Sequence, residues 1–561
     1  MESVPAELLV PPEAHARRGF EPTEAALVLD GWLRRLATQE AHCRALLGRL
    51  ARAFLARRGQ HELGFSRVDD YARERLGISG RELQSLATVV GRLAALPAIA
   101  SAFEAGTLSW AQVRLLVGVA TAETEAAWLD LAWGRTVRAL EAVIREAGRT
   151  PDTDEDDEPQ VRFRLRLRCS RRVRRLWHDV VELARRMAGA ELSQGQAAEA
   201  IAAEGVSARP ATGETWPMLG GAAEPPPDSS ERLAAFTPDL DWSAVREAIP
   251  ADLERPGSAP DDLDAFALDA RMRAVLRAMQ QVDWQMGRLL RVFLDRRLYH
   301  RMLFPSAARY LRERLGLSAR KARALVALER KTWEAPALGD AYRAGDLSWV
   351  RALALLPVVR EATAAAWVTR AGEVTVRRLL DEVEWALVAQ AAAPPPPDAS
   401  LEVAERQMRA RPDWELADAE VVFTAPGSVI ALFREAILAF AEPVDSLARG
   451  FENLLRHVQD EWQAQPRHRD PVFARDGWRC AVPACSSRRN LHVHHVLFRS
   501  RGGDNARENR VTACAWHHLR GIHAGRVRAW GEAPHAITWE LGVRRGRPPL
   551  LRLEGDRYAA A

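Results

Sequence analysis

Lysine is almost missing from this chain: two of its 79 basic residues are lysine and the rest are arginine. An arginine-rich segment is therefore uninformative by itself, and only the local charge balance carries meaning. Cysteine is scarce too, at five in 561 residues, which excludes a disulfide framework as the source of stability. No apolar run approaches the roughly 20 residues that a membrane-spanning helix needs. The start, Met1-Glu-Ser-Val-Pro5, is acidic and interrupted by proline, unlike the basic-then-apolar pattern of a secretory signal. These absences lead us to expect a cytoplasmic protein with no membrane partner. The apolar share of 47% and the charged share of 27% are those of globular domains and exclude a disordered chain. A length of 561 residues allows several such domains.

Charge is unevenly spread. From Pro466 to Ala561 there are 18 arginines against 8 acidic residues, a balance of +10; with a net charge of +4, the first 465 residues sum to −6. A basic C-terminal segment on a mildly acidic body predicts a polyanionic partner at that end.

The body reads as a duplication. Helical apolar spacing runs from Ala26 through Leu29, Leu33 and Leu36 to Leu46, Leu47, Leu50 and Phe54. In Tyr71-Ala-Arg-Glu-Arg-Leu-Gly-Ile-Ser79-Gly-Arg81, Gly77 can stop one helix and Ser79 can cap the next. Gly106-Thr-Leu-Ser109-Trp110 repeats that signal. The series returns as Tyr310–Arg320, Gly345–Trp349, Trp367 and Thr375–Arg377, and each match lies 239 residues downstream, as do Phe293 and Phe304 of Phe54 and Phe65. So many matches at one offset predict two copies of one helical unit. The alternating strand-like stretch from Val161 to Leu167 and its following helix have a counterpart at Val421-Val-Phe-Thr424, now at an offset of 256. The Gly-Ser turns suit either a helix-turn-helix, whose Arg73, Arg75, Arg81 and Arg312, Arg314, Arg320 would meet phosphates, or a packing corner with a solvated basic face. The second is the commoner outcome. Trp110 and Trp349 read as core anchors, and the isolated Cys43 and Cys169 as small hydrophobes or inert thiols.

Chemistry concentrates in 480–523, which holds three of the five cysteines and six of the fourteen histidines. Cys480-x4-Cys485 followed by Cys514-x2-His517 supplies four ligands in two close pairs, the arrangement of a structural zinc. The second pair suits a helix start, where a three-residue step keeps ligands on one face. Between the pairs, Leu491-His-Val-His-His495 has the period of a strand, so His494 and His495 point to opposite sides. A strand, a Gly502-Gly-Asp-Asn505 loop and a helix can bring His494 and His518 to one divalent ion. His495, off that ion, is free to take a proton, oriented by the Asn509 side chain or by a backbone carbonyl. His492 shares a face with His494, either as a neighbour of the ligands or, the reading we favour, as an exposed residue.

The order His495, Asn509, His518 resembles the His-Asn-His signature of the HNH endonucleases, and the flanking Cys pairs are similar to those of the zinc-containing members. The resemblance covers about residues 470–530. It implies a ββα-metal fold in which His494 and His518 ligate the catalytic ion, His495 is the general base that deprotonates the attacking water, and Asn509 orients it. His523 corresponds to a further ligand of some members. It stands five residues after His518, where one helical turn needs four, so a bend at Gly521 would have to restore its reach, or it would touch phosphate instead. The duplicated helical part resembles a bacterial domain of unknown function found ahead of HNH modules.

The expected protein is mainly α: a tail (1–25), helical repeat units at 26–205 and 263–465 joined by a Pro/Gly/Ala-rich linker (206–262), a small C-terminal ββα-metal (HNH) zinc-containing module (466–530) and a basic extension (531–561). Its expected activity is metal-dependent hydrolysis of DNA phosphodiester bonds, with Zn2+ structural and Mg2+, Mn2+, Ni2+ or Zn2+ at the catalytic site. Arg499, Arg501 and Arg520 would bind flanking phosphates, and Arg507 and the Arg544-Arg-Gly-Arg547 segment offer further positive charge. The alternative is a zinc-stabilised DNA-binding protein whose HNH module is inactive or regulatory. The repeats are candidates for a protein partner or for self-association.

Overall fold

The computed structural model describes residues 22–148, 162–209, 260–389, 391–396, 404, 418–441, 447–464 and 470–559. The tail before Pro22, the acidic run Asp152–Glu158, most of the linker including Pro225–Pro227, and Pro397, the last residue of the four-proline run that begins at Pro394, lie outside the described residues. Among the described residues the chain is mainly helical, with three small antiparallel sheets. None of the described helices is long and apolar enough to cross a membrane. The chain forms two compact units, 1–63 with 67–158 and 227–372, and 64–66 with 159–226 and 373–561. Rather than one unit per copy, each unit draws on both copies.

In the first unit the long helices Pro22–Ala56 and Ala265–Asp295, equivalent in the two copies, pack on each other. Their apolar stripes, Trp32, Leu33 and Leu36 on one and Val282, Met286 and Phe293 on the other, share one core. The copies then exchange contacts reciprocally. The Tyr71 hydroxyl donates to Asp269 at 3.1 Å, and the Tyr310 hydroxyl donates to Asp30 at 3.0 Å. Arg75 pairs with the same Asp269 at 2.6 Å and Arg314 with Asp30 at 2.9 Å. Asp30 and Asp269 are themselves 239 residues apart, so the pairing is isologous, as in a two-fold dimer.

The turn after each tyrosine is tightened by the same exchange. A π-turn over Ala72–Leu76 ends at Gly77, with φ of 68°, and one over Leu311–Leu315 ends at Gly316, with φ of 66°. A Cβ on Gly77 would lie 2.4 Å from Ser348 Cβ, and one on Gly316 would lie 3.1 Å from Ser109 Cβ. Left-handed backbone and close approach both call for glycine here. Ser79 and Ser318 then cap the helices Gly80–Leu93 and Ala319–Glu334, accepting from Glu82 N and Lys321 N. Ser109 forms a capping box with Gln112, whereas Ser348 makes no side-chain cap bond, and Arg351, which stands where Gln112 does, has no acceptor for the reciprocal half of a box. Of the six turn arginines, Arg73, Arg75, Arg312 and Arg314 are held in internal ion pairs. The turns are packing corners in that respect. Cys43 is buried and inert, its thiol pushed up to about 12 by burial and the nearby Glu40 and Asp283.

The second unit begins with the strand-helix segments of both copies. Strand β1 (Arg162–Ser170) pairs antiparallel with β2 (Asp418–Pro426), Leu165 opposite Phe423 and Leu167 opposite Val421. These four face inward, while Arg164, Arg166 and Arg168 are exposed, the alternation expected of a one-sided sheet. Trp177, from the helix Arg171–Ala188, stacks on Phe423 at 5.4 Å and meets Phe433 and Phe451 edge-on or tilted. The unit continues through the helix Val376–Ala389 and the short helix Pro471–Arg475, capped by Asp470. Then come β3 (Leu491–His495) paired with β4 (Arg510–Cys514), a π-turn over His517–Ile522, and a four-stranded meander. The meander is β5 (Val527–Glu532), β6 (Ala536–Leu541), β7 (Leu551–Glu554) and β8 (Arg557–Tyr558). The segment expected as a basic extension thus contains the end of β5 and all of β6, β7 and β8, with Ile537, Trp539, Leu541 and Leu553 buried. Arginines and Gly/Pro turns dilute its apolar alternation in the sequence.

Asp269→Ala would remove the acceptor of the buried Tyr71 hydroxyl and the carboxylate paired with Arg75 at once. We expect a loss of about 3 kcal/mol, measured as a lower urea midpoint, and a comparable loss for Asp30→Ala. If only one of the two variants is destabilised, the reciprocal pairing is not what holds the copies together.

Candidate metal centres

Four of the predicted ligands converge. Cys480, Cys485, Cys514 and His517 are all buried, and their ligand atoms lie within 4.8 Å of one another. Cys480 and Cys485 sit on a knuckle closed by Cys480 N donating to Ser487 O and Cys485 N to Val482 O. Cys514 ends β4 and His517 opens the π-turn. His517 Nδ1 lies 3.5 Å from Cys480 Sγ and 3.3 Å from Cys514 Sγ. Tetrahedral bonds of about 2.3 Å to sulfur and 2.0–2.1 Å to nitrogen would separate such atoms by about 3.5 Å, so the four residues fit a metal ion. His517 Nε2 donates to Gly64 O at 3.1 Å, which fixes the tautomer and leaves Nδ1 bare toward the thiols. None of the three cysteines is in a disulfide. Burial and the neighbouring Cys485 and Cys514 hold the Cys480 thiol well above its usual range, so its ionisation would need a cation beside it.

An arginine holds the knuckle from outside. Arg377, on the helix Val376–Ala389, donates through Nη1 to Cys480 O at 2.8 Å, Val482 O at 3.1 Å and Cys485 O at 2.8 Å. Its Nη2 donates to Asp556 at 2.7 Å. Arg479 pairs with Asp381 of the same helix, and Arg488 pairs with Glu182 and Glu191.

A second cluster lies alongside. His494, His518 and His523 bring their ligand atoms within 4.8 Å of one another. The ring centroids are 5.1 Å apart for His494 and His518, and 5.0 Å for His518 and His523. His494 is 2% exposed and its Nε2 has no hydrogen-bond partner among the described residues. A buried imidazole nitrogen left unpaired is costly and suits a metal ligand. Burial, then His518 and His523, push His494 down to about 3, so the ring stands neutral with a lone pair to offer. His518 is lowered for similar reasons, burial first and then His523 and His492.

The π-turn explains the five-residue step to His523. His523 N donates to His518 O at 3.2 Å, an i to i+5 bond that widens the turn by one residue and returns His523 to the face of His518. The reach comes from the whole turn and not from a bend at Gly521. His492, favoured as exposed, is half-buried and its Nδ1 lies 3.0 Å from His518 Nδ1. It occupies the position of the partner that orients a ligating imidazole.

His495 is half-buried and lies off both clusters. Its partner is Asn505, which the sequence did not single out, at 2.9 Å from Nε2 to Oδ1. Asn509 does not hydrogen-bond to His495. Its side chain accepts from Leu497 N at 2.7 Å and donates to Leu497 O and Asp504 O, and its carbonyl accepts from Val496 N. Asn509 therefore ties down the loop that follows His495 and carries Asn505. Gly503 is enforced there, since a Cβ would lie 1.8 Å from Leu497 O. Arg499, Arg501, Arg507 and Arg520 are exposed on the loop and π-turn, Arg501 over the Phe498 ring. Arg544 and Arg547 face each other across the β6–β7 connection.

No protein-family profile, curated protein or solved structure matches the chain, so its function has to be read from its own residues.

The purified chain should carry one tightly held ion by elemental mass spectrometry, and Cys514→Ser should remove it and open 470–559 to trypsin. Chelator should strip the ion faster as pH falls, because the thiols must shed protons to bind it. His494→Ala should keep this ion. A Cys514→Ser chain that retains both the ion and protease resistance would refute the clamp.

Proposed function

We propose that this chain is a metal-dependent DNA endonuclease that hydrolyses phosphodiester bonds through an HNH-like site, with zinc in the Cys480, Cys485, Cys514, His517 clamp. The observation that carries the reading is the three-histidine cluster: convergent imidazoles, of which His494 is held neutral by burial and has a buried, unpartnered nitrogen, beside a fourth histidine off the cluster. Structural metal sites use four protein ligands, and a three-ligand site leaves room for substrate.

His494, His518 and His523 would hold the ion. Bound there, a divalent cation supplies Lewis acidity, offsetting charge that develops on the phosphate and on the departing 3′ oxygen. The remaining work falls to the chain. An amide oxygen only accepts, so the contact with Asn505 assigns the proton of His495 to Nε2. Nδ1 then carries the lone pair that takes a proton from the attacking water. Asn509 keeps this geometry through the loop it pins, and is a positioning residue. The exposed Arg499, Arg501 and Arg520 supply the positive surface for flanking phosphates, consistent with the +10 balance of 466–561.

Plasmid nicking tests the reading. With Mg2+, Mn2+ or Ni2+ we expect cleavage that His495→Ala lowers by at least about 100-fold without loss of the tightly held ion. Asn505→Ala should give a smaller loss, and Asn509→Ala a loss together with a more protease-sensitive loop. Tight DNA binding with no cutting under any of the three ions would favour a zinc-stabilised binding protein instead.

A further inference from the structure

The two strand-helix segments share one core and differ in charge. From Arg162 to Arg175 there are eight arginines and no acidic residue; in the equivalent stretch 418–431, 256 residues downstream, there are two acidic residues and no basic one. The inward residues match. Leu165 and Leu167 stand where Val421 and Phe423 do, and all four are buried or nearly so. The outward residues do not match: Arg164, Arg166 and Arg168 stand where Glu420, Val422 and Thr424 do. The sister strand forms the same ribbon without them, so the fold does not call for these arginines.

Three of the four arginines in the following helix are used within the fold. Arg172 pairs with Glu452 at 2.5 Å and Arg175 with Asp179 at 2.8 Å, and Arg174 donates to Leu387 O. Those of the strand are not held in this way. Arg164 is exposed, and its guanidinium has no hydrogen-bond or ion-pair partner among the described residues. Arg166 and Arg168 share the single carboxylate of Glu420, at 3.5 and 3.8 Å, with 58% and 93% of their side chains exposed. Such exposed pairs contribute little to stability and can be given up to a stronger anion. Three guanidiniums against one carboxylate leave this face at +2.

Alternate residues of a strand lie about 7 Å apart, so the three charges form a row along one side of a ribbon only two strands wide. Across the ladder stand Thr424, Val422 and Glu420. The other face of the ribbon is sealed on the core that Trp177, Phe433 and Phe451 share, which gives the row a rigid base. Charge that deters edge-to-edge pairing of strands serves with either sign; a row of one sign is complementary to a polyanion. Val422 is the one apolar residue on this face, so no apolar stripe is there to enter a lipid surface. A duplex backbone is a linear array of phosphates, one every 3.4 Å or about that of axis on each strand, and proteins bind it through such rows of positive charge. A two-stranded ribbon is also narrow enough for its major groove, about 12 Å wide.

We propose that the outer face of the β1–β2 ribbon is a docking surface for double-stranded DNA. Arg164, Arg166 and Arg168 hold phosphates of one strand by charge-assisted hydrogen bonds, whatever the sequence, and Glu420 gives up its two partners as they bind. This surface is additional to Arg499, Arg501 and Arg520, and it rests on the nuclease reading only for the choice of DNA as the polyanion. None of the three arginines belongs to the histidine cluster, so the ribbon serves affinity and leaves the chemical step alone.

Fluorescence anisotropy with a labelled duplex oligonucleotide, on the full chain without added divalent ions, tests this. The triple variant Arg164→Thr/Arg166→Thr/Arg168→Thr should weaken binding at least about tenfold near physiological salt and lower the slope of log K against log salt by about 2 to 3. Threonine suits an exposed strand position, and Thr424 already occupies one, so the variant should fold as the unaltered chain does. Lysine at the same three positions should recover most of the affinity. Removing three charges elsewhere, by Arg135→Ala/Arg138→Ala/Arg301→Ala at exposed sites, should change it little. In plasmid nicking the threonine variant should raise KM and leave kcat as it is. A chain that binds duplex through the ribbon and never cuts it would refute the nuclease reading and leave this surface standing. Absence of duplex binding at low salt, or equal weakening by the threonine variant and the control, overturns the proposal. So does a threonine variant that loses binding to anionic lipid vesicles, or loses self-association, while its affinity for DNA is unchanged.

Discussion

The C-terminal chemistry depends on four atoms, three sulfurs and one imidazole nitrogen, converging in a buried pocket. Their convergence fixes the end of β4 and the start of the π-turn only three residues apart. From there the phase of the turn decides where His518 and His523 point. The knuckle at the other end of the clamp is held by main-chain carbonyls that Arg377 gathers. The two N–H groups of Arg377 Nη1 are shared among three carbonyls of the knuckle, while Nη2 is anchored on Asp556.

The two clusters differ in ligand type and burial. Three cysteines and one imidazole, all buried, would close a four-ligand site around an ion. Three imidazoles, one buried, one half-buried and one exposed, would leave an ion's remaining positions open. His517 and His518 are adjacent in sequence and serve different clusters, as neighbours on a helix must, since they lie on different faces.

Much of this was legible in the sequence because the signals were local or repeated. Cys480, Cys485, Cys514 and His517 fall at ligand spacing, and an offset of 239 recurs at too many positions for chance. What escaped had no local signature. The reciprocal contacts of Tyr71 with Asp269 and Tyr310 with Asp30 span 198 and 280 residues, and nothing near an aspartate announces such a partner. The π-turn is one hydrogen bond different from an α-helix, which apolar periodicity does not resolve. Asn505 resembles any turn asparagine, and only the loop conformation imposed by Asn509 and Gly503 aims it at His495. The β5–β8 meander hid behind arginines whose outward positions are visible only once the strands are paired.

The reciprocal pairing of the copies has an evolutionary reading. Isologous contacts are what a symmetric dimer of a single-copy chain would make. Fusing two such copies replaces a bimolecular association with an intramolecular one at high effective concentration. Once assembly no longer requires both halves to be identical, each is free to diverge: Arg44 against Asp283, Phe103 against Tyr342 and Arg138 against the knuckle-gripping Arg377 are differences in sequence or in use that a homodimer would be forced to carry on both sides.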